Sequence, residues 1–427
     1  MQIWTHIHNA RLIDPAANTD RFGDLWLNQG RIAQPPSPSP RPGEFTVIDA
    51  GGLVVAPALI DLHVHFREPG NEAAETIFSG ARAAARGGFS TVVTMPNTQP
   101  PVDRPDRLQQ QLDLAARQPF ITLLPSACLT RDRAGREPAN LEALARTDAI
   151  AFTDDGSTVL DESVLETIAR EAHRLKRPIL DHALDHTLAA GGVMHAGLRS
   201  QQLGLPGISS EAESAIVARD IRMAERTGCP FHIQHLSARE SVELIRSAQQ
   251  RGLPVSAEAT PHHLDLTEAD VQPDSADAKM APPLRSSEDR DALIQAVVDG
   301  VISCLATDHA PHTAASKARG ILSGPFGIVG LETAIGITYP RLVRSGRMSL
   351  IEWIRRWTTG PARVLGILPP ALTIGSPAHL VFLDLDREWT IRPAEFASLS
   401  RNTPWAGRRC IGRAVGTLLN GHWTWRE

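Results

Sequence analysis

From residue 54 onward the chain repeats one pattern eight times: a short, nearly continuous apolar run, then a longer stretch with apolar residues at helical spacing. The runs are LVVAPALIDLHVH (53–65), STVVTMPN (90–97), FITLLPSACL (120–129), AIAFTDD (149–155), PILDHA (178–183), PFHIQHLS (230–237), PVSAEAT (254–260) and VISCLATDHAPH (301–312). Between them lie segments such as AAETIFSGARAAARGG, DESVLETIAREAHRLKR and ARESVELIRSAQQRG, which close on Gly or Arg as helices do. A strand with one wet face alternates polar and apolar residues. One that is apolar throughout needs cover on both faces, and intervening helices supply it. Eight such strand–helix pairs predict an α/β fold built as a (β/α)8 TIM-like barrel.

The two ends of the chain read differently. IHNARLIDP, GDLWLNQGRIAQ and FTVIDAGG near the start, and AHLVFLDLDREWTI and GRAVGTLLNGHWTWRE near the finish, are short alternating strands punctuated by turn signals such as Asn420-Gly421. They are expected to pair into one small β-sandwich domain, with residues 1–53 as its N-terminal part and 365–427 as its C-terminal part. Residues 54–364 then form the catalytic barrel. The stretch QPPSPSPRPGE (34–44) reads as a surface loop.

A formal charge of −5, with both signs interspersed, leaves no basic stripe for nucleic acid and no polybasic patch for a membrane surface, so the ligand is expected to be small. Cys128, Cys229, Cys304 and Cys410 lack any C-x-x-C spacing, which argues against a disulfide framework or a zinc ribbon. The first residues carry no charged and apolar leader, and no window is apolar enough to span a bilayer. A cytoplasmic location follows as the expectation. Of the 43 basic residues only Lys176, Lys279 and Lys317 are lysine.

In a barrel of parallel strands the chemistry gathers where the strands end. Those ends carry His63 and His65, Asp154 and Asp155, Asp181 and His182, His235, and Asp308, His309 and His312. His63 and His65 are one residue apart on a strand and so share a face. The same spacing at His6 and His8 is read as a solvated strand face, because nothing in that segment completes a site. His232 and His235 are three apart and face opposite ways, so only one looks into the mouth. Four imidazoles and at least two carboxylates exceed the needs of one tetrahedral zinc and suit two zinc or similar ions sharing a water. Such a pair needs an anionic bridge. No lysine stands at the end of the fourth strand to be carbamylated, so a bridge must come from an aspartate of FTDDG, with strand alternation leaving Asp154 and Asp155 both open.

Taken in order, DLHVHFREPG, TMPNTQPP, AFTDDG, DHALD, HIQHLS, ATDHAPH and GPFGIVGLETA resemble the motifs of bacterial dihydroorotases of the long-chain type (class I), in the amidohydrolase superfamily. The resemblance implies metal ligands at His63, His65, Asp155, His182, His235 and Asp308, with Asp155 in place of the carbamylated lysine of other branches. It implies Zn2+ as cofactor, two per chain or one, because an aspartate bridge is shorter than a carbamylated lysine. It implies that Arg67, Asn97 and His312 hold a substrate carboxylate, and that Asp308 moves the proton. The reaction implied is the reversible cyclisation of N-carbamoyl-L-aspartate to L-dihydroorotate and water in pyrimidine (UMP) biosynthesis. A homodimer is the default assembly, and aspartate transcarbamoylase is a further candidate partner.

Two departures stand out. Ala281 in KMAPPLR occupies the place where relatives usually carry Asn, and TAASKARG after His312 lacks the Glu-Lys pair common there. Two other readings stay open: another cyclic-amide hydrolase of the hydantoinase or allantoinase kind, and a non-catalytic homologue serving as a scaffold for aspartate transcarbamoylase. The first group generally keeps the bridging lysine and lacks FREPG combined with MPNT. The second has lost metal ligands, whereas all six positions are filled here.

Overall fold

The computed structural model describes residues 4–38 and 45–427; residues 39–44, the second half of the expected proline-rich loop, lie outside the described residues. Five strands come first: β1 (Trp4–Asp14), β2 (Thr19–Asn28), β3 (Arg31–Ala33), β4 (Phe45–Asp49) and β5 (Val54–Pro57). Nine follow in the middle of the chain: β6 (Leu59–Val64), β7 (Phe89–Thr94), β8 (Thr122–Pro125), β9 (Ile179–Asp181), β10 (Met194–His195), β11 (Gly207–Ile208), β12 (Phe231–Ile233), β13 (Val255–Ala259) and β14 (Cys304–Leu305). Three close it: β15 (Leu380–Thr390), β16 (Arg409–Leu419) and β17 (His422–Arg426). The fold is α/β.

The middle strands pair in parallel, β6–β7–β8 in one sheet and β9–β12–β13–β14 in another. Single bridges connect the two groups. Phe152 pairs with Ala127 just past β8 and with Ile179 of β9, and Val64 of β6 pairs with His309 just past β14. The fourth run thus forms its bridges through Phe152, with Ile150 N–H donating to Pro125 O and Thr153 N–H to Ala127 O beside it. Beyond it the backbone turns to the side chains around it: Asp155 N–H is taken by Thr153 Oγ1, and Asp154 accepts from Leu129 and Thr130 N–H.

Helices lie between these strands as the periodicity predicts. In Glu162–Arg174, Asp161 accepts hydrogen bonds from Ser163 and Val164 N–H at the N-terminus, and Leu165, Ile168, Ala169 and Ala172 form the buried stripe. That stripe joins a core shared with Phe89, Phe152 and Phe231 from the strands. The ribbon β10–β11, in the excursion after β9, has no counterpart in the sequence reading.

Both chain ends enter one sheet, in the order β17–β16–β15–β5–β1–β2–β3, with β4 beside β1. Its own buried cluster includes Ile7, Leu25, Ile48, Val55, Leu380 and Phe382. The run at 53–65 splits between the two parts of the molecule: β5 pairs with β1 and β15, while β6 starts two residues later among the parallel strands. Ala58 N–H donates to His379 O at the crossing. All four cysteines are free and buried. No helix among the described residues is long and apolar enough to cross a membrane.

Asp265, at the end of the helix Pro261–Asp265, ties the middle of the chain to its C-terminal part. Its buried carboxylate accepts from Trp405 Nε1 at 2.9 Å, Arg341 Nη2 at 2.7 Å and both Nη atoms of Arg408. Asp265→Ala is expected to lower unfolding free energy by about 3 kcal/mol, at the low end for breaking a buried pair because Arg408 keeps contact with water. Urea denaturation checks this.

Candidate metal centre and substrate cavity

His63 stands in β6 and His65 directly after it, with ring centroids 5.2 Å apart. The ends of the other strands bring carboxylates and imidazoles against them. His63 Nε2 lies 3.2 Å from Asp155 Oδ1 and 3.4 Å from Asp308 Oδ1, and His65 Nε2 lies 3.0 Å from Asp308 Oδ1 and 3.6 Å from Asp155 Oδ2. His182 Nδ1 is 3.7 Å from Asp155 Oδ1 and 2.9 Å from His235 Nε2. Two trios of donor atoms result, His63–Asp155–His235 and His63–His65–Asp308, all buried.

These residues fit divalent cations. His63 Nε2 and Asp155 Oδ1 are buried without a hydrogen-bond partner, and they face each other across a gap rimmed by further lone pairs. Leaving such atoms unpaired costs about 1–3 kcal/mol each, a penalty that coordination removes. Electrostatics point the same way. Burial works against the charged form of Asp155, yet His63 and His65 hold its carboxyl well below the usual range. His235 moves well below the usual imidazole value through burial, reinforced by His182 and His63, and so favours the neutral ring that a metal ligand needs.

The fold distinguishes the two aspartates that alternation left open. Asp154 is occupied by Leu129 N–H, Thr130 N–H and the Thr130 hydroxyl, away from the imidazoles, whereas Asp155 faces His63, His65 and His182. His309 also turns away. Its Nδ1 accepts from Gly330 N–H at 3.2 Å and its Nε2 lies 3.3 Å from Glu75. His6 stacks on Trp26 and meets Asp24 at 2.9 Å, a strand-face arrangement.

The trios open into a cavity of about 680 Å³, whose wall includes Arg67, Asn97, His312, Lys279, Ala281 and Phe326. Arg67 is held with φ +55°, its Nε donating to Pro311 O at 3.2 Å. Burial lowers its pKa to about 10, which leaves it cationic at neutral pH. His312 Nε2 donates to Phe326 O at 2.7 Å; burial, then Arg67, pushes its pKa down to about 3, so the ring is neutral. Gly327 has φ +144°, and a Cβ there would sit 2.8 Å from the His312 ring and 2.7 Å from Ala310 O, so only glycine fits. Asn97 is engaged with the imidazole and carboxylate cluster: its Oδ1 lies 3.1 Å from His65 Nδ1 and its Nδ2 donates to Asp155 Oδ2 at 3.0 Å.

Comparison with known proteins places this arrangement. Residues 52–241 match the family described as Dihydro-orotase-like. A dihydroorotase of Staphylococcus epidermidis (strain ATCC 12228) is 45% identical over 89% of this chain and 90% of its own length. That of Bacillus caldolyticus is 44% identical over 94% of each, and that of Solibacter usitatus 41% identical over 98% of this chain and 97% of its own. The chain belongs to the dihydroorotase family. Among solved structures, the L-hydantoinase (dihydropyrimidinase) of Arthrobacter aurescens superposes with TM-score 0.86 over 100% of this chain and 96% of its own, at 26% identity. A D-hydantoinase (dihydropyrimidinase) of Thermus sp. gives 0.85 over 99% and 95%, at 22% identity, a likeness of fold.

Three features of this dihydroorotase-family site lay outside the sequence reading. Glu258 of β13 is fully buried, 2.9 Å from His63 Nδ1; its signal was an acidic residue inside a strand of otherwise small side chains. Asn402, from the C-terminal part, accepts from His312 N–H and donates to Ala310 O and Gly327 O, each at 3.0 Å. No local pattern announces it, because its partners lie at least 75 residues away. His186 and Lys279, which no motif marks, both line the cavity.

Proposed function

We propose that this chain is a dihydroorotase, interconverting N-carbamoyl-L-aspartate and L-dihydroorotate plus water in de novo pyrimidine biosynthesis. The observation that carries the reading is the juxtaposition of two buried histidine–aspartate trios with the Arg67 guanidinium on the wall of one cavity, in a chain of this family. His63, His65, Asp155, His182, His235 and Asp308 would hold zinc, as two ions or one. When bound, the metal supplies Lewis-acid polarisation of the ring amide carbonyl and acidifies a water.

The chain's own residues do the rest. Arg67 takes the substrate carboxylate through two parallel N–H donors, a geometry suited to a planar anion. His312, neutral and fixed through Phe326 O and Asn402, offers its ring beside that carboxylate. Asn97 orients His65 and Asp155 and completes the carboxylate subsite. In the hydrolytic direction Asp308 accepts the proton of the attacking water and returns it to the leaving ring nitrogen. In the cyclising direction it runs the same transfers in reverse.

In the same proposal the parallel strands, with Phe152 as the fourth stave and Val64–His309 closing the ring, form a (β/α)8 barrel over residues 54–364. The sheet from residues 1–53 and 365–427 folds beside it as the β-sandwich domain, borrowing β5 from the barrel's first run. A cytoplasmic homodimer acting on a small molecule, with aspartate transcarbamoylase as a candidate partner, completes the reading.

The test is turnover of both acids by purified protein, with metal content measured on the same sample and hydantoin and allantoin as controls. Turnover of the acids that tracks bound zinc is expected. Turnover of the neutral rings alone, with zinc in place, points to another cyclic amide. Ala281 adds a graded check: Ala281→Asn restores a side-chain hydrogen bond at the cavity wall, so KM is expected to fall roughly five-fold, the equivalent of one net neutral hydrogen bond, with kcat unchanged.

A further inference from the structure

We infer that Glu258 is a positioning residue for the metal centre, fixing the ring of His63 and the backbone of His235 so that His63 Nε2 presents its lone pair to a cation. The inference rests on the proposal that His63 and His235 are ligands, and it gives β13, which contributes no ligand, a part in the site.

The geometry begins in the strand register. β12 and β13 run parallel with His232 opposite Ser256. Ser256 and Glu258 are two apart, so they share a face of β13. The His232 ring is held between them, with Nδ1 2.8 Å from Ser256 Oγ and Nε2 3.1 Å from Glu258 Oε2. The other carboxylate oxygen, Oε1, lies 2.9 Å from His63 Nδ1 and accepts from His235 N–H at 3.3 Å. One fully buried carboxylate therefore touches both histidines of the first trio, one through its ring and one through its backbone.

A carboxylate has no proton to give, so the hydrogen atoms of these contacts belong to the rings. His63 must carry a proton on Nδ1, which leaves Nε2 as the nitrogen that can offer its lone pair to a cation. That is the atom 3.2 Å from Asp155 Oδ1 and 3.4 Å from Asp308 Oδ1, buried without a hydrogen-bond partner. The opposite tautomer would set a lone pair of Nδ1 against the carboxylate and aim N–H at the cation. His232 in turn donates from Nε2, and its Nδ1 accepts the Ser256 hydroxyl proton. The Gln234 amide, 3.2 Å from His63 Nδ1, can turn its oxygen to the His63 Nδ1 proton as a second acceptor. Ligand histidines commonly depend on such an acceptor for ring orientation and basicity, and its loss costs 10–100-fold in metal affinity.

Glu258→Gln is the informative variant, because it keeps the shape and removes the obligate acceptor. Zn2+ dissociation constants would be measured by chelator competition for wild type, Glu258→Gln and His63→Ala, with thermal midpoints of the metal-free proteins. The expected result is Zn2+ affinity weakened 10–100-fold in Glu258→Gln, with the metal-free midpoint close to wild type. Histidine ¹⁵N spectra should show His63 as the Nδ1–H tautomer in wild type and a mixed population in the variant. Wild-type zinc affinity in Glu258→Gln, alongside its loss in His63→Ala, overturns the positioning role. So does a lower metal-free midpoint with unaltered affinity, which marks a purely structural carboxylate. Intact zinc binding in His63→Ala overturns the ligand assignment beneath it.

Discussion

Asp308→Asn is expected to retain most of its zinc and to lose turnover by roughly 10³-fold, within the range a positioned acid–base group contributes. The substitution is nearly isosteric. Asp308 has φ +45°, a left-handed conformation that Asn tolerates almost as well, so the backbone after β14 need not move. Its amide oxygen can still sit where Oδ1 now lies 3.0 Å from His65 Nε2. What disappears is the ability to take a proton and give it back. The prediction is a fall in kcat with metal content close to wild type, checked by steady-state kinetics and metal analysis on one preparation. Near-normal turnover would remove Asp308 from the proton-transfer role, and loss of zinc in step with activity would make it a ligand only.

The eight apolar runs and the histidines at their ends were legible because both rest on local periodicity: a strand aims alternate side chains alike, and parallel strands deliver their last residues to one rim. The pairing of the two chain ends was legible for a similar reason, since short alternating strands need a partner sheet. Three kinds of information were not local. The choice between Asp154 and Asp155 depends on which one Thr130 and the backbone before it capture. The splitting of the first run depends on β15 arriving beside β5, more than 300 residues later in the chain. Asn402 acts on His312 across 90 residues. Asn97 shows the same limit at closer range: its motif marked the residue, while the His65 and Asp155 that its amide meets lie outside that motif.

Arg67 sets the second large expectation, because it decides which cyclic amides this cavity prefers. Its side chain is half-buried, its φ of +55° is a conformation paid for elsewhere in the fold, and burial lowers its pKa only to about 10. The guanidinium therefore stays charged at neutral pH and gains a partner when a substrate carboxylate arrives. Arg67→Gln removes that charge and one arm of the fork. A hydrogen bond to a charged group contributes about 1.5–3 kcal/mol, so kcat/KM for L-dihydroorotate is expected to fall about 100-fold. The control is dihydrouracil, the same ring without the carboxylate: any residual turnover of it should be unchanged or improved in the variant. The ratio of the two specificities isolates Arg67 from the metal centre, since damage to the trios would lower both rates together. Equal losses on both substrates would assign Arg67 to holding the loop through Pro311 O, and the recognition of the acid would then pass to His312 and Lys279 on the same wall.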